Sequence, residues 1–565
     1  MLSLRSPLSF RVSGPAFRRN GRMAGAAMLT LLALACSSAP AAAQPTLQAA
    51  AAATTAAPEP AAVPASVGAE PDRGAELYSR QCATCHGETG LGDGPASYLL
   101  WPKPRNFVRG TFRVVSTENG NPSDEDLLQT LRRGMPGSAM PPWGHLSDAD
   151  LEALVDTVRN MLIEGRVAAD MDYDEDLSRE EALADVLDDY MPGPEADIPA
   201  PPPDERIDLE RGADLYEKGC AACHGPDGRA NVPVEKFDSD GWPIGARDFT
   251  RGIFKGGSRP IDIARRIYLG MPGTPMPGNP MKQDELWSVV AYVEQMIDRE
   301  VEQRVLQTRK LLAAPRVDVS LTTDPGADAW KRAESAGLAL MPLWWRNDRP
   351  ETVNVQALHD GEHLAVRLSW SDATRNDLVL DQQGFSDGCA VQLSAGTDPP
   401  FFGMGDALGR VNIWHWHASW QRDLDEGAPS LGYLHRNAPT GNLANSGAPQ
   451  DELFSTGAAA GNPVSQVGHR NPVEDLNAQG QGTISSQPGL KHDAEGEGRW
   501  RPLLDSATGE WSVVFLRAIR GSGEDDVAAQ PGERVSIAFA VWDGAAGDRN
   551  GVKSVTIWHE LQLED

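Results

Sequence analysis

The chain has 565 residues, of which 40% are hydrophobic, and a formal net charge of −29. At ~150 residues per domain this length predicts three or four domains, not one core. The acid surplus repels nucleic acid and anionic membrane surfaces, which excludes both as partners and favours a basic docking protein.

The first 35 residues hold five arginines and no acid, and the apolar run from Ala24 to Ala35 leads into small residues. This is the layout of a signal peptide, assigned to residues 1–43. Leu32-Ala33-Leu34-Ala35-Cys36 partly resembles a lipobox, so a lipid anchor at Cys36 and cleavage after Ala43 stand as alternatives. Arg18-Arg19 has poor flanks for a twin-arginine signal. Residues 44–70 are an Ala/Pro/Thr tether too poor in large apolar side chains to fold. No later stretch reaches the 18 or so apolar residues of a membrane span. The expectation is an exported, periplasmic protein, held to a membrane by a lipid at most.

Residues 71–163 form the first unit. A helix beginning near Asp72 carries Gly74 to Tyr78 into Cys82-Ala83-Thr84-Cys85-His86. This C-x-x-C-H spacing attaches a c-type haem: the two thiols add to one porphyrin, and the adjacent imidazole reaches its iron. A zinc knuckle and a redox dithiol are the alternatives for the motif alone. Helices are expected over Asp124 to Arg133 and over Ser147 to Met161, the latter with a Ser cap and with Leu151, Leu154, Val155 and Val158 at helical spacing.

Residues 164–206 read as an acidic linker ending in prolines. Asp170, Asp172, Asp174, Asp176 and Glu181 partly follow an EF-hand loop, but Glu175 stands where that loop turns on glycine, which argues against calcium.

Residues 207–314 repeat the first unit. Cys220-Ala221-Ala222-Cys223-His224 is a second C-x-x-C-H, Arg247 to Phe254 echoes Arg105 to Phe112, and Gly270-Met271-Pro272-Gly273 echoes Gly134-Met135-Pro136-Gly137. A fixed pattern met twice is a tandem duplication. Each copy resembles the class I cytochrome c family, which implies a distal methionine shortly before the last helix. The choices are Met135 and Met140 in the first copy, and Met271, Met276 and Met281 in the second. Met140 and Met276 are preferred, so that His86/Met140 and His224/Met276 are the expected iron ligands. The last helix is expected to run from Gln283 to about Leu312 as one stiff connector.

Residues 315–565 change to a period of two. Leu364, Val366, Leu368 and Trp370 alternate with polar or small residues, as do Val535 to Val541 and Val555 to Leu563. This predicts an all-β antiparallel sandwich or barrel, with Asp423 to Gln481 as a long surface loop. With four cysteines taken by haem and Cys36 in the leader, Cys389 is expected to be a buried small hydrophobe. His415 and His417 share a strand face opposite Trp414, Trp416 and Trp420, which leaves a copper or zinc site open. His559, on an apolar face, is expected to be a core histidine.

Several segments of this domain together resemble the haem b domain of the ethylbenzene dehydrogenase gamma-subunit family. They are His359 to Asp372, Pro400-Phe401-Phe402-Gly403-Met404-Gly405-Asp406, Val411 to Trp416, Asp475 to Gly480, and Trp542-Asp543-Gly544 with Asn550 to Val555. The resemblance implies one non-covalent haem b held by Met404 and Lys553. It also implies a non-catalytic electron-transfer subunit, working with molybdopterin and iron-sulfur subunits. The whole is expected to be multidomain: two all-α cytochrome c domains ahead of the β-domain, with two covalent haem c and one haem b. The alternatives are a dihaem cytochrome with a glycan-binding β-domain and, less supported, a dihaem peroxidase.

Overall fold

The structure is a computed structural model that describes residues 72–233, 235–379, 384–426, 471–487, 493–503, 508–521, 523 and 526–565. The expected signal peptide, the Cys36 lipobox and the tether lie outside the described residues. Among the described residues, no helix is long and apolar enough to cross a membrane.

The first unit opens with α1 (Arg73–Gln81), capped by Asp72, and α2 (Ala83–His86), which carries the first motif. Then come α3 (Asp124–Arg133) and α4 (Asp148–Tyr173). Helices α1 and α4 cross closely because Gly74 has no side chain: a Cβ there would lie 2.2 Å from the Ala153 carbonyl oxygen. Leu77, Tyr78, Leu127, Leu151, Leu154 and Val155 form the core of this unit.

The acidic segment is not a loose linker. Helix α4 runs on to Tyr173, and α5 (Arg179–Tyr190) folds back on it, burying Val167, Ala182 and Val186 between them. Apolar residues at helical spacing, hidden among the carboxylates, drive this hairpin. It also removes the calcium-loop geometry: Asp170 and Asp172 lie within α4, Asp170 pairs with Arg166 at 2.9 Å, and Glu181 completes a capping box with Ser178.

The second unit repeats the first with α6 (Leu209–Gly219), α7 (Ala221–His224), α8 (Pro260–Leu269) and α9 (Gln283–Glu294). Gly212 at the α6/α9 crossing plays the part of Gly74. The expected single connector helix is broken instead. Helix α9 ends at Glu294, and Asp298 caps a separate α10 (Arg299–Val305) by accepting from the Glu300 and Val301 N–H groups. The Asp298 N–H leaves the helix ladder for the Thr250 carbonyl, at 2.9 Å.

The β-domain begins before Pro315, with β1 (Leu311–Ala314). It continues with β2 (Ala336–Ala339), β3 (Met341–Pro342), β4 (Thr352–His359), β5 (His363–Asp372), β6 (Gly388–Ser394) and β7 (Val411–His417). After α11 (Ala418–Glu426) come β8 (Val473–Ala478), β9 (Ser485–Ser486), β10 (Glu495–Pro502), β11 (Gly509–Ala518), β12 (Arg534–Trp542), β13 (Ser554–Val555) and β14 (His559–Leu563). One sheet has the order β1-β14-β12-β6-β7-β8-β9, with β13 beside β12 and β3 beside β13; the other has the order β10-β11-β5-β4-β2. The pairing is antiparallel except for β1 with β14. Leu338, Val366, Leu368 and Trp511 of one sheet meet Val391, Trp414, Trp416 and Phe539 of the other in one core, and Cys389 is buried there as expected. Two expectations change. The Val555 to Leu563 run is two strands, because Thr556 leaves the period to bond the Phe539 backbone. The Asp423 to Gln481 stretch contains the end of α11 and all of β8; its residues 427–470 lie outside the described residues.

Candidate functional site

The two C-x-x-C-H motifs sit in the same local machinery. Tyr78 and Tyr216, on the helices entering each motif, donate their hydroxyls to the Gly87 and Gly225 carbonyls at 2.7 Å each. His86 Nδ1 lies 3.0 Å from the Arg105 carbonyl oxygen, and His224 Nδ1 lies 3.1 Å from that of Arg247. A carbonyl accepts only, so Nδ1 carries the proton and Nε2 keeps a lone pair free to bind a metal. The Phe107 and Phe249 rings stack on these imidazoles at 4.6 and 4.3 Å. Burial lowers the pKa of both histidines, holding them in the neutral, ligating form.

The methionine loops also match bond for bond. Met135 N–H donates to the Met140 carbonyl and Met271 N–H to that of Met276, each at 3.0 Å. The Ser138 and Thr274 hydroxyls cross each loop, donating to the Met135 and Met271 carbonyls. Met135 and Met140 both line a cavity of about 160 Å³ with His86, Cys82 and Cys85. The second loop places Met271 and Met276 equivalently, whereas Met281 packs against the core of its own unit. Two thiols, an imidazole and a soft thioether around one cavity suit an iron porphyrin.

Met404 and Lys553, far apart in sequence, line one cavity of about 630 Å³ in the β-domain. That is within the roughly 300–1,000 Å³ of cofactor pockets. Met404 sits at φ +77°, a left-handed conformation rare for a methionine, followed by Gly405 at +82°. The turn is tied by Gly405 N–H to the Phe401 carbonyl at 3.0 Å and by Asp406, which accepts from the Phe401 and Leu408 N–H groups. Arg80 of α1 pairs with Asp406 at 3.5 Å, joining this turn to the helix that enters the first motif. A strained residue held by so many restraints is a feature that clusters at ligand-binding sites. The Lys553 amine lies 4.7 Å above the Trp542 ring, and burial pushes its pKa down to about 8, toward the neutral form that coordination needs.

His415, His417 and Glu474 line the same cavity, with ligand atoms within 4.8 Å of one another. The His415 ring is stacked on Trp542 at 4.4 Å and His417 on Trp420 at 4.2 Å, so Trp420 is beside the histidines and not on the opposite face with Trp414 and Trp416. His559 is a core residue, as expected: its Nδ1 accepts the Lys310 N–H at 3.1 Å, and burial pushes its pKa down to about 3.

The third cavity and the first share a wall. Cys85, Leu100, Ala139, Phe401 and Phe402 line both. The backbone continues the contact: Trp101 N–H donates to the Leu343 carbonyl, and Leu343 N–H to that of Lys553, at 2.9 Å each. Sequence reading missed this shared wall, the Trp542 platform, and the basic pair Arg113 and Lys255, which lies one residue beyond the repeat segments ending at Phe112 and Phe254.

Comparison with known proteins matches residues 314–554 to the family model described as Ethylbenzene dehydrogenase. Residues 69–156 match Cytochrome C oxidase, cbb3-type, subunit III, and residues 209–296 match Cytochrome c. The chain is 26% identical to the chlorate reductase subunit gamma of Ideonella dechloratans, over 46% of this chain and 87% of that protein. It is 27% identical to the dimethylsulfide dehydrogenase subunit gamma of Rhodovulum sulfidophilum, over 38% of this chain and 62% of that protein. A chain of the Kuenenia stuttgartiensis reducing HAO-like protein complex is 33% identical, with a TM-score of 0.33, over 40% of this chain and 96% of that one.

Proposed function

For a chain that joins two cytochrome c domains to a domain of the ethylbenzene dehydrogenase type, we propose a three-centre electron relay: haem b in the Met404/Lys553 cavity, then the haem c of Cys82 and Cys85, then the haem c of Cys220 and Cys223. The observation that carries it is the shared wall of Cys85, Phe401 and Phe402 between the β-domain cavity and that of the first motif. Bound haem supplies reversible one-electron chemistry at iron. The chain's own residues hold each group and exclude water around it. His86 with Met140, and His224 with Met276, would hold the iron of each c-type haem between them, which would leave neither site an opening for substrate. Lys553, whose amine burial over Trp542 shifts toward its neutral form, would serve with Met404 in the third site.

This chain is then a non-catalytic subunit. It is similar to the gamma subunits of chlorate reductase and dimethylsulfide dehydrogenase, and it would work beside molybdopterin and iron-sulfur subunits. The β-domain cavity faces that complex and the second cytochrome domain faces a basic redox carrier, which the chain's net charge of −29 attracts. Export to the periplasm through the 1–43 leader, with or without a lipid at Cys36, belongs to the same reading, as does a sandwich arrangement of the two β-sheets.

The test is a pyridine haemochrome assay on the full chain, with Lys553→Ala beside it. The reading expects one b-type and two c-type haems, and loss of the b-type signal alone in the variant. A protein with only c-type haem, or an unchanged b spectrum in K553A, overturns the third site.

A further inference from the structure

Basic side chains are buried where the two cytochrome domains meet, and the duplication explains their arrangement. Arg105 and Arg247 are repeat equivalents, each lending its carbonyl to a motif histidine. Arg113 and Lys255 are the next equivalent pair, directly after Phe112 and Phe254. Each of these two is only 9% exposed. Both line the cavity of the first motif, with His86, and both also line a second cavity of about 290 Å³ that contains Cys223 and Arg247. Lys255 of the second domain thus reaches the cavity of His86, and Arg113 of the first domain reaches the cavity bordered by Cys223 of the second motif.

The exchange is built in. The Arg133 guanidinium donates to the Lys255 carbonyl at 2.9 Å, and Arg266 donates to the Arg113 carbonyl at 3.3 Å, so an arginine from the opposite domain pins the backbone of each base. The Arg247 guanidinium packs on Gly137 in the first methionine loop, where a Cβ would lie 2.2 Å from Nη1.

The cluster holds more base than acid. Asp238 pairs with Arg113 at 2.6 Å and Asp240 with Arg105 at 3.5 Å. Among the described residues neither Lys255 nor Arg247 makes an ion pair, although Asp238 acts on Lys255 and Asp248 on Arg247 from further off. Burial, with Arg247 and Arg113 close by, drives the Lys255 pKa well down. Charging this amine, and keeping the Arg247 guanidinium buried, both call for a counter-charge close by. In a chain this acidic, a surplus of buried bases over acids beside the cavity of the first motif and beside Cys223 points to anions that arrive with the cofactor.

We propose that Arg113 and Lys255, exchanged between the domains, form with Arg105 and Arg247 one cradle for the carboxylate side chains of both c-type haems. The two haems then share their counter-charges, and removing one base alters both. The inference rests on haem c being attached at both motifs and is independent of the third site.

The test is Lys255→Met in the full chain, with two c-type haems verified by pyridine haemochrome and their midpoint potentials read by optical redox titration. Loss of a shared positive charge favours ferric iron, so both c-type potentials fall. At a fixed ambient potential the reduced-to-oxidised ratio of each drops several-fold, up to about tenfold, which is 59 mV for one electron. K255R keeps both potentials near wild type. R113M carries the same expectation from the other domain, so misfolding of one variant leaves the test standing. A shift in only one haem, no shift, or K255R behaving as K255M overturns the shared cradle. Wild-type potentials that move with added phosphate at constant ionic strength also overturn it, because they identify a site for free anions.

Discussion

Gly212→Ala probes the helix crossing that holds the second C-x-x-C-H in place. A Cβ at Gly212 would lie 2.2 Å from the Ser288 carbonyl oxygen and 2.7 Å from its carbon, both backbone atoms of α9 that cannot rotate away. Relief requires α6 and α9 to separate, and overpacking of this kind costs about 1–3 kcal/mol. Against it stands a gain of about 1 kcal/mol for replacing a glycine within a helix. The net expectation is a loss of up to roughly 2 kcal/mol, or up to about 15 °C in the melting temperature of a domain of this size. Gly219→Ala on the same helix is the control: the nearest atom to its added Cβ, Asn279 Nδ2, is 3.9 Å away. It should be neutral or slightly stabilising. The assay is thermal unfolding followed by circular dichroism and by Soret absorbance of the holoprotein. If G212A melts at or above wild type, or G219A falls as far as G212A, the close crossing does not limit stability and the argument fails.

Asp406→Ala removes the acceptor for the Phe401 and Leu408 N–H groups and the partner of Arg80. The strained Met404 turn then loses restraints worth roughly 1–3 kcal/mol, so b-type haem should be lost on dialysis while c-type haem stays; full b-type retention refutes the role of the turn. Burial pushes the Asp387 pKa up to about 7 and that of Asp372 to about 6. Both bind a proton more tightly when folded than when unfolded, so their stabilisation is complete below about pH 4 and is lost as pH rises through 6 to 7, by at most about 4 kcal/mol for Asp387. The melting temperature of the β-domain should therefore fall between pH 4 and 8, and D387N should flatten that slope; an unchanged slope in D387N refutes it.

The chemistry of the cytochrome half was readable because it is local. The cysteine and histidine spacing, the Asp72 and Ser147 caps and the α3 boundaries depend on neighbours within a few residues, and the structure places each where the pattern puts it. The β-strands around Leu364 and Val535 were readable for the same reason, through their period of two. What escaped depended on partners distant in sequence. The α4/α5 hairpin was hidden because its carboxylates dominate the composition while only Val167, Ala182 and Val186 decide the packing. The break before α10 turns on one hydrogen bond to Thr250. Trp542 and the Phe401/Phe402 wall come beside Lys553 and Cys85 only once the chain is folded, and no period or spacing carries that information.

The hairpin bears directly on the relay. Fourteen acids and one base between residues 170 and 205 would, as free coil, repel one another and let the two cytochrome domains drift apart. Instead the chain leaving α5 is fixed to the first domain, with Asn119 donating to the Met191 carbonyl at 2.9 Å and the Glu118 N–H to that of Pro194 at 3.0 Å. It is then fixed to the second, where the Trp287 indole donates to the Pro199 carbonyl at 2.7 Å. The segment is therefore a strap. It holds the domain face at which Arg113 and Lys255 exchange, while Arg80–Asp406 and the Trp101–Leu343–Lys553 backbone contacts hold the other face of the first domain against the β-domain. The first cytochrome domain, clamped on both sides, is the centre through which the other two cavities are connected.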